Sequence, residues 1–196
     1  MGIRVDCQGG HVKLQSGSAL LAAGAATASL LGPASAALAD GDTGGAAVAF
    51  ERAGEVPEAL RVPGGHRIVF EAIVTAGTQT YRCAPEGKYV LLGPTAMLRG
   101  HAGQYTAHYF GPAWQYQDGS VVVGKVIAKE PRANAVDQLL LQIAQHDGRP
   151  GLFSDVDYVQ RLATTGGVAP PQCDPARDTT LAVAYSAIYQ FWAPAT

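Results

Sequence analysis

The chain has 196 residues, 47% of them hydrophobic and only 15% charged, with a formal net charge of −2. That balance suits one globular domain with a proper core. It offers no basic excess to neutralise a nucleic-acid backbone, and no run of five like charges forms an acidic or basic tail. Twenty-four glycines and twelve prolines imply frequent turns, which favour short strands over long helices.

The N-terminus carries Arg4, His11 and Lys13, followed by the apolar, small-residue run SALLAAGAATASLLG over residues 18–32. This is about the length of a signal-peptide core and too short to span a bilayer. Signal peptidase requires small residues at −1 and −3, and two sites qualify, after Ala36 and after Ala39. The second is favoured, because an acidic, glycine-rich segment follows it. The other reading of this run is a loose alanine-rich helix. Residues 1–39 are expected to be a signal peptide, 40–58 a flexible segment and 59–196 a β domain. The mature protein is then secreted, with no membrane attachment after cleavage. Cys7 precedes the apolar run instead of ending it, which argues against a lipid anchor.

Export changes the cysteine count. Only Cys83 and Cys173 remain in the mature chain, and two cysteines in an oxidising compartment usually pair. The alternatives are free thiols or a metal pair, but no Cys-x-x-Cys or His-x-x-His spacing supports zinc. No metal or other cofactor is expected.

From residue 67 onward the signal has period two. RIVFEAIVT sets Ile68, Phe70, Ala72 and Val74 on one face, and Gly77 is read as a break. TQTYRC places Gln79, Tyr81 and Cys83 together. KYVLLG and AMLRG are two apolar pieces split by Gly93-Pro94. QYTAHYF alternates Tyr105, Ala107 and Tyr109 against Gln104, Thr106 and His108. Asp118-Gly119 is a favoured two-residue hairpin turn. Pairing outward from it sets Gln117 opposite Ser120, Tyr116 opposite Val121 and Trp114 opposite Val123, a large apolar patch. VDQLLLQIAQ fits a buried strand or a short helix, HDGRPG a loop, DVDYVQRLAT a strand and TGGVAPPQCDP a long turn. The last element alternates Leu181, Val183, Tyr185, Ala187, Tyr189 and Phe191 without a break. Seven to nine strands separated by turn signals predict an all-β, single-domain antiparallel β-sandwich or β-barrel with one disulfide.

GTQTYRCA (77–84), HYFGPAWQYQDGSVVVG (108–124), DVDYVQRLATTGGVAPPQC (155–173) and YSAIYQFW (185–192) occur in an order and spacing that resemble a secreted family of bacteria and fungi. That family is catalogued as a domain of unknown function, DUF3455. The resemblance covers roughly residues 60–193 and implies the β fold and export, not a chemistry. Where the family typically reads an Ile-Pro-Trp-Leu-like stretch, this chain has AVDQLLLQ (135–142), so no role is carried over to that segment. Some fungal relatives carry a malate dehydrogenase label, but this chain has no GxGxxG after a strand and no alternating βαβ pattern.

No GxSxG elbow is present, and His66, His101 and His146 read as loop residues. His108 is different: it lies in a strand, on the face opposite Tyr109, beside Gly111-Pro112. It is either hydrogen-bonded within the sheet or a general acid, base or ligand contact. Gln79, if inward, needs partners for both amide ends, from backbone or from a ligand. Arg161 goes inward if Val159 does, and then needs an acidic partner or a ligand carboxylate; the alternative is a solvated arginine. The candidate ligand-binding set is Gln79, Tyr81, His108, Tyr109, Trp114 and Arg161, with Trp192 as a further aromatic. The expected partner is a small molecule or glycan. A cofactor-independent enzyme using His108, Tyr81 or Arg161 and a cell-surface interaction module are the alternatives.

Overall fold

The computed structural model describes residues 55–195. The expected signal peptide, both candidate cleavage positions, Cys7 and the segment up to residue 54 lie outside the described residues. A short 3-10 turn, Glu58–Leu60, precedes eight strands: β1 His66–Cys83, β2 Tyr89–Gly100, β3 Tyr105–Tyr109, β4 Ala113–Tyr116, β5 Ser120–Arg132, β6 Ala135–Gly148, β7 Tyr158–Gly166 and β8 Thr180–Pro194. Each pairs antiparallel with the next, and β8 returns to β1, so the sheet closes into an up-and-down barrel. Closure gives every strand a partner on both sides and makes the sheet a barrel, not a sandwich. The ambiguous VDQLLLQIAQ is a strand.

Period-two patterning sorts each strand into an inner and an outer face, and bulges reset the count. Phe70, Ala72 and Val74 point inward as expected, but Ile68 is 41% exposed. The β1–β8 register shifts between Ile68 and Phe70, so Val69 takes the position against the core. Gly77 does not break β1; a Cβ there would sit 2.7 Å from Val74 Cγ1 and 2.9 Å from the Ala96 Cβ. Its bare backbone allows neighbouring side chains to close in. Gly93-Pro94 likewise lies inside one strand, β2. Strand β3 pairs with β2 only from Ala96 onward, so β2 is locally an edge at Pro94 and tolerates the missing N–H.

The hairpin register also differs from the sequence expectation by one residue. Trp114 pairs with Val122, not Val123, and Gln115 with Val121. The turn holds three residues, with Gly119 at φ 92° and its N–H bonded to the Tyr116 carbonyl. Asp118 sets this geometry by accepting from both the backbone N–H and the hydroxyl of Ser120. A one-residue slip exchanges the faces. Val122 is fully buried beside Trp114, while Val121 and Val123 are only half-buried.

One end of the barrel is filled. Phe153, from the loop after β6, stacks on Phe191 at 4.4 Å and packs with Phe70 and Tyr116. The β4–β5 turn holds that loop in place: Asp118 Oδ2 accepts the Leu152 N–H and Ser120 Oγ accepts the Phe153 N–H. Burying each such ring contributes roughly 2–3 kcal/mol. Outside the wall, Leu60 covers Leu140 and Leu162, with Val56 and Val62 against them. Gln160 bridges this layer, donating to the Leu60 carbonyl and accepting from Trp192 Nε1. Residues 55–58, the described part of the 40–58 segment, thus lead into packed structure.

The disulfide between Cys83 and Cys173 is formed, with Cα atoms 5.9 Å apart. It ties the end of β1 to the long β7–β8 connection, beside backbone bonds from Cys83 to Thr179 and from Cys173 to Gly87.

Candidate functional site: the open end of the barrel

Strands β3 and β4 are the shortest in the barrel, at five and four residues. Where they stop, the wall is low and the 110–112 turn spans the gap. A cavity of about 330 Å³ opens there, between that turn and strands β1, β2, β5, β6, β7 and β8. Gly93, at φ 147°, has no side chain, and a Cβ would meet Phe110 Cδ2 at 2.7 Å. The missing side chain is what allows the Phe110 ring to lie over β2 at the mouth.

Four of the six residues singled out from sequence line this cavity: Gln79, His108, Trp114 and Arg161. Tyr81 lies close by, its hydroxyl donating to the Gly167 carbonyl at 2.5 Å. Tyr109 is not with them. It is 38% exposed on the outer face, opposite His108, as strand alternation dictates. Trp192 also faces outward, bonded to Gln160. His66 and His146 lie in strands β1 and β6, where they bond to Asp157 and to the Val156 carbonyl; only His101 sits in a turn.

His108 is buried and stacks face to face on Trp114 at 4.5 Å, with Tyr189 edge-on at 5.2 Å. Its Nδ1 lies 2.8 Å from the Ala113 carbonyl. A carbonyl only accepts, so Nδ1 carries the proton and Nε2 keeps a lone pair. Burial pulls the imidazole pKa down to about 4; the Ala113 bond opposes this and the Arg161 charge adds to it. The ring is neutral at pH 7.

Arg161 sits in a row across three strands, paired with Leu139 on β6 and Tyr189 on β8. Val159 and Arg161 do share the inner face, as alternation requires. Its Nε and Nη2 both donate to the Asp137 carbonyl, at 3.0 and 2.8 Å. No carboxylate among the described residues forms an ion pair with it. The side chain of Asp137 itself turns outward to Lys129. The field of this cation is felt across the site. Burial raises the pKa values of Tyr81, Tyr185 and Tyr189, and Arg161 pulls each back down. The Tyr185 and Tyr189 hydroxyls are 3.3 Å apart.

Two donors at the cavity wall are unsatisfied. Gln79 Nε2 and Trp114 Nε1 are buried with no hydrogen-bond partner among the described residues. Such orphans are uncommon in native interiors and each costs about 1–3 kcal/mol. The sequence singled out Gln79 but gave no sign of Leu139, Leu141 and Tyr189, which also line the cavity. Their hydrophobic periodicity is what an ordinary core strand would show.

The fold and site define a closed eight-stranded antiparallel barrel, plugged with aromatics at one end and holding at the other an arginine with no carboxylate partner among the described residues. The model of the family described as protein of unknown function (DUF3455) matches the chain over residues 99–193. The match runs from the end of β2 into β8 and includes His108, Trp114 and Arg161. No curated protein and no solved structure matches the chain.

Proposed function

We propose that the open end of the barrel is a binding site for a small molecule. The observation that carries this reading is a cavity whose walls hold an arginine with no carboxylate partner, and two buried donors with no partner, among the described residues. Small-molecule sites have this character, mostly apolar with a few convergent polar groups. A concave, largely apolar cavity favours a compact ligand over a glycan, which would need an open aromatic platform. Tyr109 and Trp192, which face outward on different strands, do not build one with Trp114.

The depressed pKa of His108 in a concave site favours an enzyme as the second reading. A general base works best with a pKa near the working pH, however, and a value near 4 makes His108 a weak base at neutrality. As a neutral hydrogen-bond acceptor it suits binding. We also propose that the chain is exported, with the leader cut after Ala39 or Ala36. The Cys83–Cys173 bridge supports an oxidising destination. Among the described residues no helix is long and apolar enough to cross a membrane. The intact mass of the protein recovered from culture medium tests export and the cleavage position together.

The binding proposal is tested by native mass spectrometry and metabolite extraction of the purified protein. Wild type should retain a small molecule, and Val126→Trp, at the mouth, should exclude it while the fold stays intact. If wild type retains nothing and binds nothing in a broad library screen, the proposal is wrong.

A further inference from the structure

Resting on that reading of the cavity, we infer that its ligand is a monocarboxylic acid with an apolar body. The carboxylate meets the free N–H groups of Arg161 and the body lies against leucines and Phe110. A guanidinium has five N–H donors. Two of them, on Nε and Nη2, are taken by the Asp137 carbonyl, which fixes the plane of the group. Another faces the Tyr189 hydroxyl. The others are left for a ligand, and a planar carboxylate is the anion that fits such a fork.

The rest of the wall narrows the class. No Asp or Glu is among the lining residues, so no like charge there repels an anion. The unsatisfied Gln79 and Trp114 groups are donors, and an ionised carboxylate offers only acceptors. Arg161 is the only cationic side chain among the lining residues, His108 being neutral at pH 7. One cation balances one negative charge. A dianion such as a phosphate monoester would leave a second charge among Leu91, Leu139 and Leu141, at a prohibitive desolvation cost.

The mouth selects the other end of the ligand. Phe110 is 75% exposed, Leu91 52%, Val126 44% and Leu92 39%, and all four line the cavity. An apolar rim continuous with apolar walls is what an aliphatic chain or an aromatic ring emerging from the cavity would cover.

The experiment is calorimetric titration of the protein with two matched pairs, octanoate against octanamide and 4-phenylbutyrate against 4-phenylbutanamide. In wild type at least one acid should bind about tenfold or more tightly than its amide, and raised salt should weaken the acid alone. The tighter acid tells whether the natural body is aliphatic or aromatic. Arg161→Gln should abolish the preference for acid, and Arg161→Lys should keep part of it. If amides bind wild type as well as acids do, the cavity is a ligand site but the carboxylate inference is overturned. If neither acids nor amides bind, the small-molecule reading is overturned with it. The comparison within wild type stands even if an Arg161 variant does not fold.

Discussion

Mild acid should destabilise this barrel through a single buried ring. His108 has a pKa of about 4 in the folded protein, against 6.5 for an unperturbed histidine. Between those values the unfolded chain holds a proton that the folded barrel refuses. Stability therefore falls as the pH drops: the contribution is whole above about 6.5 and gone near 4. Some two and a half units, at about 1.4 kcal/mol each, make roughly 3 kcal/mol. The assay is urea unfolding at a series of pH values from about 7.5 down to 4, disulfide intact. His108→Asn is the comparison, because its amide can still donate to the Ala113 carbonyl but does not titrate. The difference between the two curves should shrink by roughly 3 kcal/mol across the window, wild type losing more. Parallel curves would refute the reasoning. They would mean that the stack of His108 on Trp114 accommodates an imidazolium, and that burial is not what governs the ring.

Three further outcomes are expected. Removing the disulfide with Cys83→Ala and Cys173→Ala releases a loop spanning 90 positions, and the stability measured by denaturant unfolding should fall by up to about 4–5 kcal/mol. Val122→Ala should cost about 2 kcal/mol and Val123→Ala under about 1 kcal/mol, since only Val122 is fully buried; equal costs in urea unfolding would contradict the three-residue turn. Gly77→Ala forces a methyl to within 3.0 Å of Val74, Ala96 and Tyr185, and should lower the melting temperature by the equivalent of about 1–3 kcal/mol. An unchanged melting temperature would show that the strand gives way there at no cost.

Much of the barrel was legible because period two is a local property. An alternating strand such as 181–191 must put one set of side chains inside, whichever sheet it joins. The inward direction of Arg161 followed from Val159 by the same rule, and the pairing of Cys83 with Cys173 from the cysteine count. Alternation is lost wherever a residue is inserted, and insertions are settled by neighbours. The bulge beside Ile68 and the three-residue turn at Asp118 exist because partner strands and side-chain caps make them cheaper than the regular form. Gly77 and Pro94 read as breaks because their local propensities are poor, and tertiary packing overrode both.

By itself the sequence offered the material of the cavity: an amide and an arginine that turn inward if their strand neighbours do, a strand histidine and a tryptophan. Only the tertiary structure decided that they meet. Closure of β8 on β1 and the early end of β3 and β4 bring residues from distant parts of the chain around one cavity. Whether Arg161 has a carboxylate partner is a question about distances between strands. A one-dimensional pattern carries the direction of a side chain, but not the identity of what stands across from it.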